Sequence, residues 1–295
     1  MFSDTHFHFH YLFEKHGAEF SRDILMQMVR DGVFFGLDIG TDCSDLPQRA
    51  ACIEKSLDAI DDADARNRAL KFMHFSAGIW PDPESIRNRF ECMKTLKNCV
   101  KEFRNHKLFG SHFCAIGEGG IDHHWNPCGA DGRSSSDFDS AMFDAEKELF
   151  ELQLNFARSL NLPFIVHSRD GFSDTLDSIK NVGYNKGIIH CYSYGINEAR
   201  IFLDLGWHIS FSGSVTYTKK NRMEEMRELI NFIPSDRILL ETDSPYLSPV
   251  PLRGTENNPA NVRHTYSFVA QLRGIPVEDL SGLVDENSRS LFALK

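Results

Sequence analysis

The sequence lacks the patterns that mark membrane-spanning, secreted and thiolate-metal proteins. No apolar run approaches the length of a membrane span, and no signal-peptide pattern precedes Asp4. The seven cysteines are odd in number and scattered, and no Cys-x-x-Cys pair occurs, so neither a disulfide framework nor a thiolate zinc site is indicated. We therefore expect a cytoplasmic protein with reduced thiols and without an obligate protein partner.

The sequence also lacks an excess of positive charge. Its net charge of −10 argues against a protein that coats nucleic acid with a basic surface. A phosphate substrate is still compatible with this charge, because two divalent cations in a pocket would reverse the local potential. Hydrophobic residues make up 41% and charged residues 25%, which is ordinary for a soluble globular chain.

A third absence bears on the fold, since no Gly-x-Gly-x-x-Gly fingerprint of a dinucleotide-binding sheet follows the first predicted strand. Strand-like runs and amphipathic helical stretches alternate, and the apolar stripe from Phe138 to Leu160 predicts the clearest helix. The predicted strands are residues 2–8, 33–40, 72–79, 113–118, 163–167, 187–190, 207–212 and 238–243. Eight strand–helix repeats favour an α/β TIM (β/α)8 barrel over a doubly wound sheet. We expect a single domain over residues 1–295, with Pro127–Ser136 as a loop inside it.

Potential metal ligands stand at the ends of five predicted strands. The chain opens with Asp4-Thr5-His6-Phe7-His8, where the two imidazoles point to the same side of an extended strand. Four more apolar runs end in a potential ligand: Glu118, His167, His190 and Asp243. In a barrel these ends converge on one face, and nitrogen and carboxylate donors without sulfur suit zinc, manganese or magnesium.

Each of these residues has an ordinary structural explanation as well. A single histidine at a strand end is more often a hydrogen-bonded core or rim residue than a ligand. Asp243 could initiate a turn before Pro245, and Glu118 between two glycines could cap a helix. Their joint occurrence at five strand ends favours a metal site.

The chain resembles the TatD metal-dependent deoxyribonucleases of the amidohydrolase superfamily over nearly its whole length. The resemblance rests on the opening motif and on four further stretches with a tail signature: residues 117–122, 163–170, 190–193 and 239–247, followed by Arg253-Gly254, residues 257–262, Asn287 and Leu291-Phe292. One departure is Gly78-Ile79-Trp80-Pro81, where family members usually carry Gly-x-His-Pro.

The resemblance implies a two-metal phosphodiesterase that acts on DNA, with exonuclease activity at DNA ends. His6, His8 and Asp243 would hold one divalent cation, His167 and His190 the other, and Glu118 would bridge them. Catalysis would rest on Glu118 and on Asp243, the latter as the proton acceptor.

Further residues are candidates for supporting roles. Arg169 follows a ligand strand and could contact a phosphate, and Lys219, Lys220 and Arg253 lie in loops on the same face. Trp80 could stack on a base. Each of the four cations could equally be a solvated surface charge, and Trp80 could be a packing residue at the barrel rim.

Three carboxylates, Asp4, Glu241 and Asp122, are expected to orient ligand imidazoles or water. Asp4 and Glu241 each stand two residues before a ligand, on the same side of their strand.

Three other functions stay open. The same scaffold could hydrolyse an amide, a lactone or an aminoacyl ester. His10, which extends the opening to His-x-His-x-His, suggests a phosphoesterase of the polymerase-and-histidinol-phosphatase kind. A metal-binding scaffold protein with residual activity is the non-enzymatic alternative.

Overall fold

Eight parallel strands follow one another around a barrel in the computed structural model, which describes residues 1–126 and 132–294. The strands are β1 (Phe2–Phe7), β2 (Val33–Asp38), β3 (Met73–Ala77), β4 (Phe113–Asp122), β5 (Phe164–Arg169), β6 (Gly187–Ile189), β7 (His208–Phe211) and β8 (Ile238–Leu240). Each strand pairs with the next in sequence order. The TIM barrel expected from the sequence is confirmed, although residues 127–131 of the expected loop lie outside the described residues.

Helices cover the outside of the barrel. They are α1 (Phe9–Arg30), α2 (Leu46–Asp58), α3 (Ala63–Phe72), α4 (Pro83–Arg87), α5 (Arg89–Phe103), α6 (Ser140–Leu160), α7 (Phe172–Val182), α8 (Ile196–Asp204), α9 (Met223–Phe232), α10 (Val262–Arg273) and α11 (Val277–Phe292). The predicted helical stripe ahead of Leu160 is α6, which begins after Asp139 because this carboxylate accepts a hydrogen bond from the N–H of Met142. None of the helices in the described part of the chain combines the length and apolar composition needed to cross a bilayer.

The segment after β8 closes the barrel against β1. Phe7 forms an isolated parallel bridge with Ser244, and the N–H of His8 donates to the carbonyl of Ser244 at 2.7 Å. The N–H of Asp243 donates to the carbonyl of His6 at 2.9 Å. These bonds place the first and the last predicted ligands of the chain side by side.

The fourth strand differs from its prediction. It continues to Asp122 instead of ending at Glu118, because Gly119–Asp122 go on pairing with β5. The register shifts between Gly117 and Gly119, so Glu118 is an extra residue at a bulge, and its N–H donates to the carbonyl of Gly40 at 2.8 Å. A bulge redirects a side chain without ending the strand.

Buried polar side chains hold the loops beneath the mouth of the barrel. The guanidinium of Arg49 is fully buried and pairs with the carboxylates of Asp38 and Asp45. The side chain of Gln153 on α6 accepts a hydrogen bond from the N–H of Ile79 at 2.8 Å and donates to the carbonyl of Ile79 at 2.9 Å. Gln153 thereby pairs both backbone groups of the residue that precedes Trp80.

We expect Gln153→Ala to lower the free energy of unfolding by about 2–4 kcal/mol, because two buried backbone groups of Ile79 lose their partners. Asn155→Ala on the exposed face of the same helix is the matched control and should change stability by less than about 0.5 kcal/mol. Urea unfolding followed by circular dichroism measures both. Equal stability of the two variants would contradict this role of Gln153.

Candidate metal centre

Side chains from five strands meet in the mouth of the barrel, where parallel strands end on one face. All are largely buried, and the most exposed, Asp243, has 16% of its side chain accessible. The set is His6, His8, Glu118, His167, His190 and Asp243. The tertiary structure therefore brings together all six residues that the sequence predicts as metal ligands.

The carboxylate of Glu118 lies between two pairs of imidazoles. Its Oε1 is 2.7 Å from Nδ1 of His167 and 3.1 Å from Nε2 of His190. Its Oε2 is 3.2 Å from Nε2 of His6 and 3.8 Å from Nε2 of His8. A carboxylate whose two oxygens face different histidine pairs has the arrangement of a ligand that bridges two cations.

Asp243 lies beside the pair formed by His6 and His8. Its Oδ1 is 3.5 Å from Nε2 of His6 and 3.6 Å from Nε2 of His8. The donor atoms of these three residues all lie within 4.8 Å of one another, and so do those of His6, Glu118 and His190. His6 is thus common to both groups, and its ring stacks on that of His190 with centroids 4.0 Å apart.

Three of the four histidines have one ring nitrogen against an oxygen acceptor. Nδ1 of His8 is 3.3 Å from the carbonyl of Ile39, Nδ1 of His190 is 3.4 Å from Oε1 of Glu241, and Nε2 of His167 is 2.9 Å from Oδ2 of Asp122. Such an acceptor would hold the remaining ring proton when a cation displaces the proton from the other nitrogen. The nitrogens that face the centre are therefore Nε2 of His8 and His190 and Nδ1 of His167.

The environment of the His6 nitrogens indicates whether this set of residues is suited to bind a cation. The side chain is fully buried, and among the described residues neither Nδ1 nor Nε2 has a hydrogen-bond partner. An unpaired buried polar atom is costly, yet Nε2 points at the carboxylates of Glu118 and Asp243. A divalent cation would satisfy Nε2 of His6 together with the carboxylate oxygens it faces, and a donor set without sulfur suits zinc, manganese or magnesium.

The pKa values show how strongly the carboxylates attract positive charge. Burial alone would raise the pKa of Glu118, but the facing imidazoles of His190 and His6 and the hydrogen bond from His167 lower it well below its usual value. Burial opposes protonation of His167, but its hydrogen bonds with Asp122 and Glu118 raise its pKa to about 9. A cation that binds here must displace that proton, so affinity should fall as the pH falls.

Asp122 and Glu241 contact the imidazoles of His167 and His190 as expected, but among the described residues Asp4 contacts no imidazole. Its carboxylate accepts hydrogen bonds from the backbone N–H of Thr242 at 2.9 Å and from the hydroxyl of Thr242 at 2.7 Å. A longer bond of 3.3 Å comes from the N–H of His6. Asp4 therefore fixes the backbone just before Asp243, because its side chain is turned toward the segment that follows β8 and not toward a ring.

The four predicted phosphate contacts lie at the correct end of the barrel. Arg169 ends β5, Lys219 and Lys220 lie in the connection after β7, and all three are exposed. Arg253, in the connection after β8, places its guanidinium 4.2 Å from the centroid of the Tyr217 ring. Connections that follow barrel strands lie on the same face as the centre, but contact with a substrate stays a prediction.

Trp80 lies next to the His167 side of the centre. Its ring meets that of His167 edge-on with centroids 5.9 Å apart, and the backbone N–H of Trp80 donates to the carbonyl of Thr41 at 2.8 Å. Arg133, which the sequence analysis does not single out, lies 5.6 Å from the Trp80 ring and donates to the carbonyls of Pro81 and Asp122. No local motif marks Arg133, because its partners are distant in sequence.

His10 does not join the centre. It lies in the first turn of α1, is buried, and belongs to neither group of clustered donor atoms. Burial and the nearby Arg49 lower its pKa to about 4. The position of His10 therefore does not support a phosphoesterase of the polymerase-and-histidinol-phosphatase kind.

The sequence model of a family described as TatD related DNase matches residues 3–293. The chain belongs to the TatD family. A Bacillus subtilis protein described as the uncharacterized metal-dependent hydrolase YabD is 34% identical over 197 residues, which is 66% of this chain and 69% of that protein. The Escherichia coli K12 protein YcfH, with the same description, is 38% identical over 180 residues, 60% of this chain and 62% of that protein, which is less than two thirds of its length. The resemblance drawn from the motifs is confirmed.

Solved structures share the fold of this TatD-family chain. The crystal structure of the Escherichia coli TatD homologue YjjV superimposes with a TM-score of 0.76 at 21% identity and covers 100% of this chain and 98% of that one. A mutant PTE-like lactonase from Deinococcus radiodurans gives a TM-score of 0.58 at 14% identity, over 92% of this chain and 85% of that one. At these identities the likeness concerns the barrel alone.

We expect Asp122→Asn to weaken cation binding about 10–100-fold, because His167 loses the carboxylate that fixes its ring and its proton. Asp170→Asn is the matched control, since Asp170 pairs with the half-exposed His124 at 3.0 Å in the same region. Competition with a chromogenic chelator measures affinity in both variants. Unchanged affinity in Asp122→Asn would remove this role.

Proposed function

We propose that this protein is a divalent-metal-dependent phosphodiesterase that hydrolyses DNA from its ends. The observation that carries the proposal is the position of Glu118, whose two carboxylate oxygens face separate histidine pairs. The family description and the names of the relatives, which are metal-dependent hydrolases, support the same reading. The cofactors we propose are two magnesium, manganese or zinc ions.

Some residues of the centre would hold the cations, and one would accept a proton. Two divalent cations in such a site acidify a water molecule and neutralise the charge of a phosphate. His6, His8 and Asp243 would hold one cation and His167 and His190 the other, with Glu118 shared between them.

Asp243 is the best candidate for the proton acceptor. Its Oδ1 faces His6 and His8, which leaves Oδ2 for a water molecule. Of the two carboxylates in the centre it is also the more solvent-accessible, with 16% of its side chain exposed against 5% for Glu118. A general base needs this combination of a fixed position and access to water.

Asp243→Asn should lower turnover of a single-stranded oligonucleotide by about 10²–10⁴-fold while much of the metal content is retained, because ligation survives and proton acceptance is lost. Chelator should abolish the activity of the unmodified protein. The measurements are the rate of cleavage of end-labelled DNA and elemental analysis of each variant.

The control is Asp236→Asn, an exposed position paired with Arg237, which should behave like the unmodified protein. Near-normal turnover of Asp243→Asn would remove the base role. Hydrolysis of a lactone, an amide or an aminoacyl ester in place of every phosphodiester, with any divalent ion, would overturn the proposed substrate class.

Trp80→Ala should raise the Michaelis constant for a single-stranded oligonucleotide, since base stacking on an aromatic ring contributes about 1–3 kcal/mol. Cleavage of a small phosphodiester without a base should change little. Trp80→Phe keeps an aromatic ring and is the matched variant. If both substrates lose activity equally and the melting temperature falls, Trp80 serves only to pack against Arg133 and His167.

A further inference from the structure

Three consecutive carbonyls just after β2 contact two residues of the metal centre and the tryptophan beside it. They belong to residues 39–41, which we call the carbonyl segment. Each carbonyl faces a nitrogen of a different residue. The pairs are Ile39 with Nδ1 of His8 at 3.3 Å, Gly40 with the backbone N–H of Glu118 at 2.8 Å, and Thr41 with the backbone N–H of Trp80 at 2.8 Å. A shift of this one segment would therefore move a ligand ring, the shared carboxylate and the tryptophan together.

The carbonyl segment lies beyond the end of β2, and side chains hold most of it in place. Its first N–H donates to the carbonyl of Phe7 at 2.9 Å, as in a continuing strand. The other two donate to side chains, namely that of Gly40 to Oγ of Ser76 at 3.2 Å and that of Thr41 to Oδ2 of Asp45 at 3.0 Å. The position of the segment therefore depends on β3, which carries Ser76, and on the residue that precedes α2.

The guanidinium of Arg49, on α2, links these supporting groups. It is fully buried and forms ion pairs with Asp38 and with Asp45, where Nε is 2.9 Å from Oδ1. It also donates to the carbonyl of Ser76 at 2.6 Å. A β-carbon placed on Gly40 would come within 2.6 Å of the guanidinium, so the carbonyl segment runs directly against it.

Asp38 extends this arrangement to the start of α1. Its Oδ2 pairs with Arg49, and its Oδ1 accepts a hydrogen bond from the N–H of Phe9 at 2.9 Å. Because Phe9 directly follows His8, both the ring of His8 and the backbone after it are held by groups that Arg49 contacts. Among the described residues, Arg49 itself has no hydrogen bond or ion pair with any of the six residues of the centre. It can act on them only through its neighbours.

We propose that Arg49 is a positioning residue of the metal centre, which fixes the carbonyl segment so that His8 and Glu118 keep the arrangement that binds a cation. The inference rests on the proposed function, since it concerns the same centre. Lysine cannot replace arginine here, because an ammonium group lacks the planar fork of donors that reaches two carboxylates and a carbonyl in fixed directions. Cation affinity should therefore depend on Arg49 beyond any effect on fold stability.

The test measures Co²⁺ binding to the metal-free protein by visible absorption, which reports both affinity and coordination geometry. Co²⁺ binds to the same kinds of nitrogen and oxygen donors as the other divalent ions of its row. Arg49→Lys should weaken Co²⁺ binding about 10–100-fold, as expected for a group that orients ligands without contacting the metal. At saturating Co²⁺ its absorption spectrum should differ from that of the unmodified protein. Circular dichroism establishes that each variant is folded at the temperature of the titration.

Arg273→Lys is the matched control. Arg273 ends α10, and its guanidinium donates to the carbonyls of Ile230 and Ile233 and to Oγ of Ser235, which precedes β8 and so lies at the opposite end of the barrel. This variant also loses a forked set of hydrogen bonds, but it should bind Co²⁺ with the affinity and spectrum of the unmodified protein.

Asp45→Asn is a milder variant that keeps the volume of the side chain and removes one ion pair of Arg49. It should weaken Co²⁺ binding about threefold or more, and it decides the question if Arg49→Lys does not fold. Unchanged affinity and spectrum in the folded variant would overturn the inference. Equal losses of affinity in Arg49→Lys and Arg273→Lys would overturn it as well, because they would reflect fold stability alone.

Failure of this inference can be distinguished from failure of the proposed function, because Co²⁺ binding needs no substrate. If no phosphodiester is cleaved with any divalent ion but Arg49→Lys weakens Co²⁺ binding and Arg273→Lys does not, the proposed function fails and the role of Arg49 stands. If DNA is cleaved from its ends and Arg49→Lys binds Co²⁺ like the unmodified protein, the proposed function stands and the role of Arg49 fails.

Discussion

The architecture of the barrel mouth depends on one buried carboxylate. Glu118 is 4% exposed, and a charge at that depth is tolerated only when opposite charges or hydrogen-bond donors surround it. Four imidazole nitrogens supply that environment, each within 3.8 Å of one of its oxygens. Because these histidines come from β1, β5 and β6 and their following loops, the carboxylate makes the ends of distant strands depend on one another.

A concentration of buried polar groups at one end of a barrel must be supported by the residues beneath it. The bulge at Glu118 is held by the carbonyl of Gly40, the residue before Trp80 is held by Gln153, and the backbone before Asp243 is held by Asp4. The middle of the barrel is packed with fully buried aliphatic side chains such as Ile165 and Leu239. The apolar layer stabilises the fold, and the polar layer above it holds the backbone segments that carry Glu118, Trp80 and Asp243.

The surroundings of the centre bear on the proposed action of an acidic protein on an acidic polymer. The net charge is −10, and cations at the rim such as Arg169 and Lys219 are few. Attraction to phosphate would therefore come from the centre itself, and the ring of Trp80 beside His167 would contribute contacts that do not depend on charge.

The sequence by itself determined the barrel, the family and the identity of the six clustered residues, because strand periodicity and short motifs are local patterns and parallel strands end on one face. Only the tertiary structure decided which nitrogen of His8, His190 and His167 faces the centre, since Ile39, Glu241 and Asp122 lie far from those histidines in sequence. The same holds for the bulge at Glu118, where pairing with β5 continues past the motif, and for the hydrogen bonds of Asp4 to Thr242, 238 residues away.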